Sequence, residues 1–124
     1  MLKRLLPVLA FGLLAACSGN ATGSTEDGLR VVPAGETAIA VTNLRAEAVY
    51  YRIINADALA SWAPCTSPAD CPEIAPGETV RIEYAEIGLY SPDSMEATLL
   101  WWQFARADGG GYRTVRQGDV AVRL

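Results

Sequence analysis

The chain has 124 residues, with ten lysines and arginines, fourteen acidic residues, no histidine and a formal charge of −4 at pH 7. This acidic balance makes it a poor candidate for nucleic acids and anionic lipid surfaces, which bind clustered Lys and Arg. The lack of histidine removes the usual base of a serine or cysteine nucleophile and a common zinc ligand. We therefore expect a protein that is not an enzyme and holds neither metal nor cofactor.

The first sixteen residues have the parts of an export signal. Lys3 and Arg4 precede an apolar stretch that runs from residue 5 to residue 14. This stretch is too short to cross a bilayer as a helix, which takes about 20 apolar residues. A basic start, a short apolar middle and small residues at its end are typical of a signal peptide. We expect residues 1–16 to be this signal.

The four residues Leu14-Ala15-Ala16-Cys17 resemble the lipobox of bacterial lipoproteins. The resemblance implies that the Cys17 sulfur takes a diacylglyceryl group, that the signal is cut before it, and that the new amino terminus is acylated. Because each buried methylene contributes about 0.8 kcal/mol, three chains such as palmitate would hold the protein on the membrane. Ser18, where inner-membrane retention typically uses Asp, favours the outer membrane of a bacterial envelope. An ordinary cleaved signal with a chance cysteine is the alternative.

The composition changes after Cys17. Residues 18–28 read SGNATGSTEDG, with no large apolar side chain. Such a stretch cannot bury enough surface to offset the entropy of ordering it. We therefore expect residues 17–28 to form a lipidated, flexible tether and residues 29–124 to form one domain. Without the signal, eight arginines face fourteen acidic residues, a formal charge of −6.

Apolar residues alternate with polar ones through the rest of the chain, which is the period of β-strands. The alternating runs are Ile39–Val41, Val49–Ile53, Val80–Tyr84 and Val120–Leu124. Turn signals rich in Pro, Gly, Asp and Asn separate them, among them PAGE, APGE and DGGG. The pattern predicts an all-β fold. With about seven strands in a domain of this length it resembles an immunoglobulin-like antiparallel sandwich, without the Cys–Trp–Cys signature of antibody domains.

The segment NADALASW, residues 55–62, holds the one helical signal. Asn55 or Asp57 could cap one or two turns that contain Leu59 and Trp62. We expect this short helix to form a crossover between the two sheets.

A proline-flanked loop at residues 64–72 follows and contains Cys65 and Cys71. An exported protein meets an oxidising compartment, where a disulfide is the default for two such cysteines. Closing so short a ring stabilises the fold by about 2–2.5 kcal/mol in the chain-entropy model. The alternative is a metal site, which Asp70 and Glu73 would have to complete because zinc takes at least three protein ligands.

The strand ATLLWWQFA, residues 97–105, has one wholly apolar face and one that is half polar. We expect the wholly apolar face of Leu100, Trp102 and Phe104 to lie in the core. The other face carries Trp101 and Gln103, so we expect Trp101 to be partly exposed and covered by Arg52, by a loop that folds across it, or by a partner. We expect the strand at residues 48–55, with Tyr50, Arg52 and Ile54 on its outer face, to lie alongside. The predicted binding face comprises Tyr50, Arg52, Trp101, Gln103 and Tyr112.

Together these features favour a non-catalytic binding or accessory module, anchored to the membrane by lipid on Cys17 and facing an envelope protein partner. The alternative is an envelope protease inhibitor that acts through the disulfide-constrained loop at residues 64–72. A small hydrolase is the third hypothesis, because carboxylate pairs remain available among the fourteen acidic residues.

Overall fold

Two antiparallel sheets of four strands each pack face to face in the computed structural model of the protein, which describes residues 23–124. The predicted signal at residues 1–16, the predicted lipid on Cys17 and the tether up to residue 22 lie outside the described residues. The strands are β1 Ser24–Glu26, β2 Leu29–Pro33, β3 Ala38–Asn43, β4 Val49–Asn55, β5 Glu73–Ile74, β6 Thr79–Glu83, β7 Glu96–Arg106 and β8 Tyr112–Arg123. None of the helices in this range is long and apolar enough to span a membrane.

The strand order confirms the predicted immunoglobulin-like sandwich. The first sheet has the order β1-β2-β3-β6 and the second sheet has the order β5-β4-β7-β8. In the nomenclature of that fold, β2, β3 and β6 correspond to strands A, B and E, and β4, β7 and β8 to strands C, F and G. The count is eight rather than about seven, because the short β1 and β5 each add one strand to these six. β4 and β7 are neighbours, as the sequence predicts.

The domain begins earlier than the predicted tether allows. Strand β1 pairs with β2, with Ser24 opposite Val31 and Glu26 opposite Leu29. Asp27 and Gly28 form the turn between them, with φ angles of 56° and 76°. The expectation that the flexible tether extends to Gly28 is therefore wrong for Ser24–Gly28. The side chains of β1 are exposed, and backbone pairing orders them without the apolar residues on which the prediction depended.

The main core lies between the sheets. Fully buried side chains come from both layers: Leu29, Ile39, Val41 and Ile82 from the first sheet, and Val49, Ile74, Leu99, Val120 and Val122 from the second. Trp101, only 4% exposed, belongs to this core. Phe104 is partly buried and belongs to a second cluster, outside the sandwich, with Leu100 and Trp102. The predicted assignment of the two faces of β7 is therefore inverted.

The second cluster exists because a cap covers the outer face of the second sheet. A 3₁₀ helix at Ala56–Ser61 follows β4, and the side chain of Asn55 accepts a hydrogen bond from the Asp57 N–H at its start. This confirms the predicted short helix and the predicted role of Asn55 in capping its first turn. The predicted disulfide is also present: Cys65 and Cys71 are bonded, with 6.1 Å between their Cα atoms. Both are buried against Trp102 and its neighbours.

The cap does not carry the chain between the sheets. After the 3₁₀ helix and the disulfide loop, β5 returns to the second sheet and pairs with β4. The crossing to β6 follows at residues 75–78, where the Glu78 N–H donates to the Ala75 carbonyl at 2.9 Å. The expectation that the helix forms the crossover is therefore wrong. The Pro-Gly pair of APGE makes that turn instead, with Gly77 at a φ of 79°.

Candidate functional site

Trp101 is a structural residue and not part of an exposed face. Its indole N–H donates a hydrogen bond of 3.0 Å to the carboxylate of Asp27. The guanidinium of Arg45 lies over the ring, 4.6 Å from the ring centroid. The same arginine donates to the Gln103 side chain and to the Asp27 carbonyl, each at 3.0 Å. Arg45, and not Arg52, therefore covers Trp101, and we name Asp27, Arg45, Trp101 and Gln103 the Trp101 latch.

The turn between β3 and β4 positions Arg45. The buried Asn43 side chain accepts a hydrogen bond from the Arg45 N–H at 2.8 Å and donates to the carbonyls of Glu47 and Ile74. Because all of these bonds fix the backbone, the arginine leaves the turn directed at β7. Gly118 on β8 leaves room for the contact, since a Cβ there would lie 2.5 Å from the Asp27 carboxylate and 2.7 Å from the Trp101 nitrogen.

The predicted binding face divides between the two sides of the second sheet. Cross-strand partners share a face, and the register places Tyr50 opposite Trp102 and Arg52 opposite Leu100. Tyr50 and Arg52 are therefore on the outer face, and Tyr112, opposite Arg106, extends it. The expectation that Trp101 and Gln103 join them is wrong. Both point inward and are 4% and 7% exposed, because side chains alternate along a strand.

Beyond the latch, the β7–β8 hairpin projects past the end of the sandwich. We name residues 105–116 of this hairpin the distal arm. Its residues 108–116 are all exposed. Three consecutive glycines with positive φ, Gly109–Gly111, form the tip, where the Ala107 N–H donates to the Gly111 carbonyl at 3.1 Å. Only glycine adopts such a run without strain, so the tip is a tight reversal, as the DGGG motif predicts.

A bulge marks the base of the arm. Gln103 is opposite Arg116, whereas Phe104 is opposite Thr114, so Val115 has no partner in the ladder. A bulge bends the strand and increases its twist. We therefore expect the distal arm to be bent relative to the rest of the second sheet.

Charge is distributed unevenly between the arm and the domain. The arm carries Arg106, Arg113 and Arg116 against Asp108 alone, a formal charge of +2, while the rest of residues 23–124 has five arginines and thirteen acidic residues. Arg106 is held over the ring of Tyr112, at 5.4 Å, and donates to its hydroxyl at 3.3 Å. The arm is thus a basic element on an acidic domain.

Aromatic side chains connect the arm to the outer face. Phe104 at its base packs against Tyr50, with 5.6 Å between the ring centroids. Burial, and then the nearby carboxylate of Glu73, raise the pKa of Tyr50. Its hydroxyl is therefore a neutral donor at physiological pH. Farther along the face, Trp62 of the cap and Trp102 are 5.8 Å apart and form one wall of a groove of about 520 Å³ that reaches Asp119 on β8.

The disulfide loop is compact. The Asp70 carboxylate accepts hydrogen bonds from the Thr66 hydroxyl and, at 3.1 Å, from the Thr66 N–H. These bonds lower the pKa of Asp70, and the hydrogen bond from the Thr66 hydroxyl has the largest effect. The Asp70 N–H donates to the Ser67 carbonyl at 3.0 Å, so the loop closes in a turn at its apex. Nowhere in residues 23–124 do three side chains of His, Cys, Asp or Glu converge as a metal would require.

Sequence reasoning missed two elements of this surface. Arg45 lies in a turn, where no periodicity indicates which way a side chain points. In the sequence, DGGG predicts only a turn at the tip of the arm, although three arginines lie on either side of it. Compared with known proteins, the chain matches no family model, no curated protein and no solved structure.

Proposed function

We propose that this protein is a lipid-anchored, non-catalytic binding module of the bacterial envelope that engages a protein partner through its distal arm and the adjoining outer face. The lipobox-like sequence that ends at Cys17 supports the anchor. Arg, Tyr and Trp, the residue types that dominate interface hot spots, support the face, which is formed by Tyr50, Trp62, Arg106 and Tyr112.

One observation carries the proposal: the basic arm is at the opposite end of the domain from the chain's entry. Gly23 lies in a cleft with Glu96 and Arg123, which pair where β7 begins. The arm leaves from the other end of β7, roughly 30 Å away at the rise of an extended strand. A tether attached before Gly23 therefore directs the arm away from the anchor. Its charge favours an acidic partner.

Photo-crosslinking in cells tests this function. A photoreactive aromatic residue replaces Tyr112 in one strain and Arg81, an exposed residue of the first sheet, in a matched control. We expect a discrete adduct from position 112 and none from position 81, and we expect the adduct to disappear when Arg106, Arg113 and Arg116 are all changed to Gln. An adduct that survives the triple change, or no adduct from position 112, would contradict the proposal.

A protease inhibitor acting through the loop at residues 64–72 is the second candidate. The buried disulfide and the bonds of Asp70 to Thr66 hold the loop in one conformation, which reduces the entropy lost on binding. An inhibitor predicts that reduction of the disulfide abolishes protection of an envelope protease substrate while the triple arginine variant remains active. The binding module predicts that partner capture survives reduction of the disulfide and is lost in the triple arginine variant.

A further inference from the structure

The edge of β4 that faces away from β7 is only partly paired. The unpaired part begins where β5 ends. Strand β5 pairs with Val49 and Tyr50 only. The next contact is the Tyr51 N–H, which donates to the Pro72 carbonyl at 3.1 Å. In a complete antiparallel pair Pro72 would donate in return, but proline has no N–H. The Tyr51 carbonyl therefore lacks its ladder donor.

The pairing resumes beyond a gap of one residue. The Gly88 N–H donates to the Ile53 carbonyl at 3.0 Å, and the Gly88 carbonyl accepts from the Asn55 N–H at 2.9 Å. This is a single parallel bridge, with Gly88 opposite Ile54. The corresponding bridge opposite Arg52 would use the Tyr51 carbonyl and the Ile53 N–H. Because the backbone groups of successive residues point to opposite sides of a strand, both groups face away from β7, and none of the hydrogen bonds that residues 23–124 form outside the strand ladders ends on either of them.

A cavity of about 440 Å³ lies at this gap. Pro72 and Gly88, which flank the gap along the edge, both line the cavity, and so do the apolar residues Ile54, Trp62 and Ile82. This volume lies within the range of about 300–1,000 Å³ that is usual for ligand pockets. The cavity thus combines several apolar lining residues with one backbone donor and one backbone acceptor.

Arg52 supplies a positive charge to the same cavity. Its Nε is buried and has no hydrogen-bond partner, and its guanidinium forms no ion pair within the described part of the chain. The acidic groups nearby are Glu86, which also lines the cavity, and Asp70 of the disulfide loop. A buried guanidinium nitrogen without a partner costs free energy, which an anionic ligand would recover.

The gap in the edge of β4 and the cavity beside it together form a notch. We propose that this notch binds the free carboxyl terminus of an L-peptide. The last N–H of the peptide donates to the Tyr51 carbonyl, and its carboxylate accepts from the Ile53 N–H and from the Arg52 guanidinium. The last side chain enters the apolar cavity. A strand that runs along the edge on both sides of the gap does not fit, because Pro72 and Gly88 occupy the neighbouring places. The peptide therefore ends at the gap, and its preceding residues turn away from the edge beside Pro72.

This notch is distinct from the distal arm, so its test is independent of the crosslinking experiment. The full chain, labelled with ¹⁵N and held in detergent micelles, is titrated with N-acetyl-glycyl-alanyl-leucine and with the carboxamide of the same peptide. We expect the acid to shift the Ile53 amide resonance and to bind about tenfold more tightly than the carboxamide. The carboxamide has no carboxylate, so it loses a hydrogen bond between charged groups.

Two further comparisons identify the groups involved. Arg52→Gln is expected to weaken binding of the acid about tenfold while the carboxamide is unaffected, and Arg81→Gln on the first sheet serves as the control. A peptide with a D-configured last residue directs its side chain away from the cavity and is expected to bind less tightly. Three outcomes would overturn the proposal: equal binding of acid and carboxamide, tighter binding of the D-peptide, or no shift at Ile53. All three are measured on the unchanged protein, so none depends on whether a variant folds.

Discussion

The indole nitrogen of Trp101 is hydrogen-bonded, at 3.0 Å, to the carboxylate of Asp27, a residue 74 positions earlier in the chain. This bond joins the first turn of the domain to a central strand of the opposite sheet. Arg45 adds a second connection, because it contacts both the Trp101 ring and the Asp27 carbonyl. The latch therefore fixes the turn between β1 and β2 onto β7.

Removing the Asp27 carboxylate is expected to destabilise the domain. Asp27→Ala leaves a buried indole N–H without an acceptor, which costs about 2 kcal/mol. Asp27→Asn keeps an acceptor and tolerates the positive φ at this position, so we expect a smaller loss. Urea unfolding followed by circular dichroism measures both variants, with Asp93→Ala in an exposed loop as the control. Equal losses for Asn and Ala at position 27 would show that the hydrogen bond is not the cause.

Gly118 is expected to tolerate no larger side chain. A Cβ there would lie 2.5 Å from the Asp27 carboxylate and 2.8 Å from the Trp101 ring, and such overpacking typically costs about 1–3 kcal/mol. Gly118→Ala should therefore lower the urea midpoint and change the near-ultraviolet dichroism of Trp101. Gln117→Ala, one residue earlier on the same strand and exposed, should do neither. An unchanged midpoint for Gly118→Ala would mean that the latch can move aside.

The disulfide is expected to hold the cap on the outer face. Replacing both Cys65 and Cys71 by Ala removes the constraint on a short loop and is expected to cost about 2 kcal/mol. Because the two cysteines pack against Trp102, the tryptophan fluorescence of the folded protein should also shift to the red. Equilibrium unfolding and emission spectra measure both effects. Stability equal to that of the oxidised protein would contradict the structural role of the bond.

Asp70 is expected to titrate below its ordinary value of 3.8, because Thr66 hydrogen-bonds to its ionised form. A carboxyl whose folded pKa is depressed contributes stability above its unfolded pKa and loses it as the pH falls through the folded pKa. The contribution is therefore present at neutral pH and is lost below about pH 3.8. Carbon-detected NMR of the Asp70 carboxyl measures the titration. Thr66→Val should raise this pKa, whereas Thr66→Ser should leave it low.

The proposed lipid on Cys17 makes a direct prediction for cell fractionation. The unchanged chain should sediment with membranes and incorporate labelled palmitate, because three acyl chains bind a bilayer far more strongly than one. Cys17→Ser should abolish the labelling and release the protein from the membrane fraction. Cys65→Ser serves as the control for loss of a cysteine. Labelling that persists in Cys17→Ser would place the acyl group elsewhere and remove the basis for the anchor.

The sequence predicted the strands with clear alternation but not the direction in which β7 faces. Large apolar side chains lie on both of its faces, and the cap buries the outer one, so periodicity could not distinguish the core side from the covered side. Gln103 was misleading as well: its polarity indicated solvent, yet the Arg45 hydrogen bond satisfies it inside the fold. Only a three-dimensional arrangement shows that a distant turn supplies this partner.

The short strands were beyond prediction for another reason. Neither β1 nor β5 contains an alternating apolar run, and both form through backbone pairing with a longer neighbour. The cysteine pair and the helix cap were predictable because they depend on local chemistry, namely two thiols in one short loop and an Asn side chain that reaches the second N–H after it. The notch beside Arg52 could not be predicted, because the sequence does not show that the pairing of β4 stops at Pro72 and resumes at Gly88.

The bulge at Val115 has a consequence for neighbouring copies of the chain. Strand β8 is twelve residues long and forms the outer boundary of its sheet, and a flat strand of that kind is a template for fibrous aggregation. Proteins concentrated on one surface meet one another edge to edge far more often than the same proteins in free solution. The kink at Val115, together with the repulsion between Arg113 and Arg116 of adjacent copies, opposes such lateral polymerisation.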